Sequence, residues 1–178
     1  MGYSIRLATA ADIAHLPPIE RAAAQRYLPY LSQLGLTPEN LEDIVPIDFL
    51  HRAQCQQHLW VAVSPWPKDP LPKGFVVVER LVNGFFVVEL DVAPGYGRQG
   101  IGSALMKHVM AAAWEQSLST VTLTTFRHVP WTIPFYRRLG FEIVVPGNYT
   151  PSIRAIVNHE ERHGFRRQVR VVMQCQIS

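Results

Sequence analysis

The chain has 178 residues and a mass of 20.2 kDa, a length that suits one globular domain with a substantial core rather than two. Apolar residues make up 48% and charged residues 17%, against roughly 25% charged in an average soluble protein, which excludes a disordered or solvating chain. Lys plus Arg total 17 and Asp plus Glu 14, a formal charge of +3, too small an excess to imply nucleic acid binding by itself.

Residues 4–8 read as a short strand. Thr9-Ala10-Ala11-Asp12 follows as a variant capping box, in which Asp12 can reach back to the Thr9 amide, so a helix is predicted to begin there. Pro17 and Pro18 predict a break or kink, after which residues 19–27 continue with good helix formers and apolar positions at helical spacing. Thr37-Pro38 and Val45-Pro46 each place a proline where a first helical turn tolerates one, predicting two more short helices. Residues 59–63, 74–82 and 85–92 are β-branched and aromatic runs that read as strands. Asn83-Gly84 supplies the positive-φ residues of a type I′ turn between the last two, predicting an antiparallel hairpin. The prolines of residues 65–72 predict a stiff connecting loop.

Beyond the hairpin the apolar period lengthens. Ile101, Leu105, Val109 and Ala112 predict a helix over 102–117, and residues 120–126 a strand. Residues 132–139 suit a short helix with Thr132 as N-cap, Pro134 in the first turn and Gly140 at C′. Residues 141–145 and 168–177 read as the last strands. Between them, residues 153–170 carry five Arg, two Glu and two His, either a helix covering a cleft or a solvated basic face. The architecture predicted is α/β, a mixed and mostly antiparallel central sheet flanked by helices, with residues 1–178 as a single domain.

Charged residues interrupt every apolar stretch before the roughly 18 residues that a membrane helix needs, and the first residues resemble no signal peptide. Cys55 and Cys175 form no zinc or disulfide spacing, and the histidines give no metal-ligand pattern. The cytosol is the compartment expected, with no metal, no membrane and no nucleic acid partner. Cys175-Gln176-Ile177-Ser178 matches a C-a-a-X pattern, but it falls within the predicted terminal strand.

The densest signal is Leu90-Asp91-Val92-Ala93-Pro94-Gly95-Tyr96-Gly97-Arg98-Gln99-Gly100-Ile101-Gly102-Ser103: a strand, a glycine-rich turn and a helix start. Glycines bring backbone close to a ligand, and the free N–H groups and positive dipole end of a first helical turn suit phosphate. Gly95, Gly97 and Gly100 also spell the dinucleotide fingerprint G-x-G-x-x-G, which would make the chain an oxidoreductase. Two features oppose that reading. Residues 116–141 contain no Asp or Glu to bind a ribose, and the strand feeding the turn is a hairpin arm, whereas the fingerprint belongs to a parallel βαβ unit.

The turn resembles the central motif of the GNAT superfamily of acyl-CoA-dependent N-acyltransferases, Q/R-x-x-G-x-G/A. Gly97-Arg98-Gln99-Gly100-Ile101-Gly102 matches all but its first position, where Gly97 replaces Gln or Arg. Phe135-Tyr136-Arg137-Arg138-Leu139-Gly140-Phe141 is similar to the family's F-Y-x-x-L-G-F. The resemblance implies a GNAT-like domain that transfers an acetyl group from acetyl-CoA directly to a primary amine. It also implies that Leu90, Asp91 and Val92 line the pantetheine arm, and that Gly97, Arg98, Gln99, Gly100, Ile101, Gly102 and Ser103 hold the pyrophosphate. Tyr136 takes the position of the family's general acid. Glu89 or a water serves as base, since a Lys-like amine with pKa about 10.4 must lose a proton before it attacks. Arg127, His128 and Trp131 border the acceptor side, and homodimers are common among such proteins. A non-catalytic acyl-CoA sensor on the same fold is the alternative.

Overall fold

In the computed structural model, which describes residues 2–64 and 70–177, the first capping box forms as the sequence predicts. Asp12 accepts from the Thr9 amide at 2.7 Å and from Thr9 Oγ1 at 2.8 Å, and it also holds Arg6 of β1 (Ser4–Leu7) at 2.7 and 2.9 Å. The box opens a 3-10 turn, Ala10–His15. The α-helix proper, α1 (Leu16–Ala24), starts with Pro17 and Pro18 in its first turn, where a missing N–H loses no bond. The prolines begin this helix instead of kinking it. A 3-10 stretch (Gln25–Tyr30), α2 (Leu31–Leu34), a second capped 3-10 turn (Pro38–Leu41) and α3 (Ile47–Cys55) complete the helical first third.

Six further strands follow among the described residues: β2 (Leu59–Val63), β3 (Pro72–Arg80), β4 (Gly84–Val92), β5 (Thr120–Phe126), β6 (Glu142–Val144) and β7 (Arg170–Gln176). The sheet order is β1-β2-β3-β4-β5-β7-β6, antiparallel except for the parallel pair β4 and β5. That pair is joined by α4 (Ile101–Glu115), the crossover that parallel neighbours require. The predicted proline loop lies outside the described residues at 65–69, and Pro72 is already in β3. Cys55 is exposed and Cys175 buried, both free.

Strand alternation divides the core. One face, with Trp60, Val76, Val78, Phe85 and Val87, is covered by Ile101, Leu105, Met106 and Val109 of α4. The other, with Val61, Phe75 and Val77, meets Leu16 and Ile19 of α1 and Leu50 of α3. The basic segment contains a helix, α6 (Pro151–Arg162), that buries Ile153 and Val157 against Phe86 and Val172 on that second face. Of the two readings open for this segment, the solvated basic face fits what is observed: the helix packs its apolar side on the sheet and leaves Arg154, His159 and Arg162 exposed on its outer side.

Two local features differ from expectation. The hairpin forms, but Leu81 N–H bonds Gly84 C=O at 2.8 Å, so Val82 and Asn83 make the loop and Gly84 is in β4. Neither loop residue nor Gly84 has positive φ, which excludes a type I′ turn. Gly84 is instead required by close approach: a Cβ there would lie 2.5 Å from the Thr120 carbonyl oxygen and 2.3 Å from Thr120 Oγ1. Thr132, expected as N-cap, is the first residue of α5 (Thr132–Arg137), capped by Trp131. Its hydroxyl donates to Phe126 C=O at 2.6 Å, tying the loop back to β5.

The Gly84 contact lies where the parallel pairing begins, so Gly84→Ala should force β4 and β5 apart and destabilise the fold by about 1–3 kcal/mol. Urea unfolding measures this; an unchanged midpoint would contradict the close approach.

Candidate active site

The site begins with one extra residue. In β3 and β4, Val78 opposes Val87 while Val77 opposes Glu89, leaving Val88 unpaired as a β-bulge. The pairing of β4 with β5 ends at the same point, Val87 with Leu123. Beyond it β4 runs on beside β3 to Val92, and β5 beside β7 to Phe126. The two strands no longer bond each other, and an open edge is left inside the sheet.

Register shows which groups face that edge. Ala93 N–H donates to Lys73 C=O at 2.8 Å, which makes Phe75 and Asp91 a hydrogen-bonded pair and turns the main-chain groups of Leu90 and Val92 away from β3. Their side chains join the α4 face with Phe85 and Val87. The sequence pattern alone puts Val88 on the face of Leu90 and Val92; the bulge moves it to the opposite clusters, beside α1 and α6. Glu89 and Asp91 share that opposite face.

The open edge leads into the glycine turn. Arg98 has φ 60° and Gly100 φ 85°, left-handed conformations of the kind that gather successive N–H groups into an anion-binding concavity. Gly100 is the N-cap of α4, and the first intrahelical bond is Ala104 N–H to Gly100 C=O at 3.0 Å. The amides of Ile101, Gly102 and Ser103 therefore precede the helix's own bonding and are available to a ligand. A Cβ on Gly102 would meet Phe135 of α5 at 3.4 Å, which sets the helix start close against the second motif. Gly95 has no positive φ and nothing within 4 Å of an added Cβ, so the dinucleotide spacing includes a glycine that the backbone does not need. The topological objection to that fingerprint does not hold, because β4, α4 and β5 do form a parallel βαβ unit.

Four groups line the α1 side of the bulge, and two of them were not singled out from sequence. Asp91, 5% exposed, bonds Arg26 Nη2 at 3.1 Å. Glu89 is half-buried and accepts from the Leu90 amide at 3.0 Å. Glu20 of α1 is 6% exposed; its Oε1 accepts from the Val45 amide at 2.9 Å, and its Oε2 is buried with no hydrogen-bond partner among the described residues. An unsatisfied buried acceptor costs about 1–3 kcal/mol. Burial, then the Glu89 charge, pushes the Glu20 carboxyl up to about 8. Burial raises Glu89 too, against its Leu90 bond, Arg26 and Arg170. Asp91 is raised by burial and by Glu89, with Arg26 opposing.

Tyr136 lies on α5 against Phe135 and Phe141, ring centroids at 4.9 and 5.8 Å. Burial, then Tyr27 and Glu89, raises its phenol, which keeps it protonated. Trp131 stacks on Tyr27 at 6.0 Å and meets Tyr30 edge-on at 5.3 Å, forming an aromatic wall, whereas Arg127 and His128 are exposed in the preceding loop. Arg170 is sandwiched by Phe126 and Phe165 at 4.7 and 5.0 Å and bonds Glu160 of α6 at 2.8 and 3.1 Å. The structure thus brings Glu89, Asp91 and Tyr136 together with Glu20, Arg26 and Tyr27, and leaves Arg127 and His128 on the surface.

A seven-stranded sheet opened beside a bulge, with the start of α4 at the end of the open strand, defines an α/β architecture. The chain belongs to the acetyltransferase (GNAT) domain family, whose model matches residues 55–143. It is 28% identical over 80 residues to the ribosomal protein bS18-alanine N-acetyltransferase of Escherichia coli K12, covering 44% of this chain and 54% of the relative. The chain thus spans about half the length of the curated relatives it matches. Among solved structures, the S18-alanine N-acetyltransferase of Escherichia coli superposes with a TM-score of 0.66 at 16% identity, over 99% of this chain and 94% of that one. Ard1 from Thermoplasma volcanium gives 0.66 at 22%, over 100% and 99%. These likenesses establish the fold. No helix among the described residues is long and apolar enough to cross a membrane.

The Glu20 environment gives a signed pH effect. Its folded value of about 8 stands above the ordinary 4.5, so the neutral acid's contribution to stability is complete below pH 4.5 and lost as pH rises to about 8. Glu20→Gln keeps the Val45 contact and should flatten that decline. Unfolding free energies across this window test it; parallel curves for the two proteins would contradict the assignment.

Proposed function

We propose that this chain is an N-acetyltransferase that transfers the acetyl group of acetyl-CoA to a primary amine, with residues 1–178 acting as one domain. The observation that carries the reading is the continuous path from the open edge of β4 at Leu90 and Val92 to the cradle of Ile101, Gly102 and Ser103, with Glu89 and Tyr136 beside its start. Coenzyme A fits this path by chemistry. Pantetheine amides match main-chain groups that have lost their strand partner, and a pyrophosphate matches the helix-start amides with Gly97, Arg98, Gln99 and Gly100. Bound there, acetyl-CoA supplies an activated thioester, and no nucleophilic side chain is needed to carry the acyl group.

Glu89, directly or through one water, takes the proton of the entering ammonium. A carboxyl raised by burial is a better match to that task than an exposed one. The amine nitrogen then bonds the acyl carbon and loses its second proton as the carbon–sulfur bond breaks; Tyr136 gives its Oη proton to the departing sulfur, and the proton released from nitrogen restores the phenol through solvent. Asp91 stays engaged with Arg26, which fixes the 3-10 stretch of Gln25–Tyr30 against β4 and so shapes the acceptor side. Trp131 and Tyr27 supply an apolar wall there, and Arg127 and His128 stand at its outer rim, where they can meet an acidic group on the acceptor. The bS18 relative is named for an alanine acceptor; for this chain the acceptor is proposed only as a primary amine.

A free-thiol assay of acetyl-CoA with a panel of amines tests the reading. Turnover is expected, and CoA binding without thiol release under any amine would point to a sensor. In the same assay Tyr136→Phe should lower kcat by roughly 10² to 10⁴ with little change in acetyl-CoA affinity; full turnover in the variant would remove Tyr136 from this role.

A further inference from the structure

The Leu90 amide faces the open edge of β4, yet it is already occupied: Glu89 Oε1, on the preceding residue, accepts from it at 3.0 Å. One N–H makes one good hydrogen bond. Any carbonyl that docks at this point must therefore displace the carboxylate. We propose that Glu89 is an exchangeable cap on the Leu90 amide, displaced by the thioester carbonyl of the acyl donor, so that its carboxylate is released toward the acceptor only once the donor is in place. This inference rests on the acetyltransferase reading above.

The surroundings favour such an exchange. Released from Leu90, the Glu89 carboxylate remains among Glu20 of α1, Arg26 and Tyr27 of the following 3-10 stretch, Asp91 of its own strand, Tyr136 of α5 and Arg170 of β7, the groups coupled to it electrostatically. Arg26 and Arg170 continue to favour its ionised form, and Glu20 and Asp91 oppose it. The Leu90 bond is one of the contacts holding the carboxyl down, so losing it makes Glu89 a stronger base. The step is an exchange of hydrogen-bond acceptors on one amide and needs no other reactant. It makes proton removal follow donor binding, which ties the order of events to a single main-chain group.

Calorimetric affinities of CoA and acetyl-CoA for the full chain and for Glu89→Ala test the exchange. In the native chain the acetyl carbonyl displaces a cap; in the variant the amide is vacant. Acetyl-CoA should therefore bind the variant about threefold to tenfold more tightly, the worth of one ordinary hydrogen bond, while CoA, which lacks that carbonyl, binds both alike. An unchanged acetyl-CoA to CoA affinity ratio would overturn the proposal. Failure of both ligands to bind the native chain would instead remove the acetyltransferase reading, and the cap's displacer with it. A ligand-free arm is independent of both. The Leu90 amide resonance should follow the Glu89 titration in the native chain and stay flat with pH in Glu89→Gln; a native Leu90 amide indifferent to that titration overturns the proposal. Thermal melts confirm that both variants are folded.

Discussion

The extra residue Val88 is the constraint on which the site depends. A β-bulge leaves one residue unpaired and bends its strand, and here it falls where β4 and β5 stop bonding. Three consequences follow from the same insertion. The strands part, the main-chain groups of Leu90 and Val92 lose a neighbour, and alternation is reset so that Glu89 and Asp91 face α1 while Leu90 and Val92 face α4. Were Val88 paired in regular alternation instead, Glu89 would fall on the face of Phe85 and Val87, in an apolar cluster, where burying a carboxylate is costly. The tight parallel contact at Gly84 and Thr120 anchors the other end of this divergence.

Electrostatics in the cleft run against the chain's overall charge. The sequence carries +3 and 14 arginines, yet the α1 side of the bulge gathers Glu20, Glu89 and Asp91 around Arg26. Arg170 is held by Glu160 and two aromatic rings, so its charge reaches the cleft at a distance instead of by contact. Like charges in a dry site raise one another's proton affinity, and burial acts in the same direction. In the proposed reaction, a local excess of carboxyl groups would suit a cleft that admits an ammonium and returns it as a neutral amide. The glycine turn, proposed to hold the phosphates, is different: Arg98 is its one arginine, and main-chain amides would do the rest.

Much of the fold was legible because it rests on local chemistry. Strands at 59–63 and 120–126, the capping box at Thr9 and the apolar stripe of α4 each follow from residues within a few positions of one another. Gly140, expected at C′ of the short helix, has φ 87°. What the sequence hid is tertiary. Gly84 carries a turn signature but is there for the Thr120 backbone, and Val88 has no mark distinguishing it from Val87. Glu20 did leave a trace, a carboxyl at helical spacing from Leu16 and Ala23 on the apolar face of α1, but its meaning needs β4 beside it. Arg26 and Tyr27 sit in a 3-10 stretch whose partners lie more than 60 positions away. The glycine turn and the Phe135-Tyr136 pair stood out because each is a compact motif.

On the proposed function, the parting of β4 and β5 creates the acetyl-CoA site. Residue-resolved amide hydrogen exchange with and without acetyl-CoA tests it most directly. Exchange is expected to slow at Leu90 and Val92 on the open edge, and at Ile101, Gly102 and Ser103 at the start of α4. Slowing elsewhere, with those five amides unchanged in the presence of bound acetyl-CoA, would contradict it.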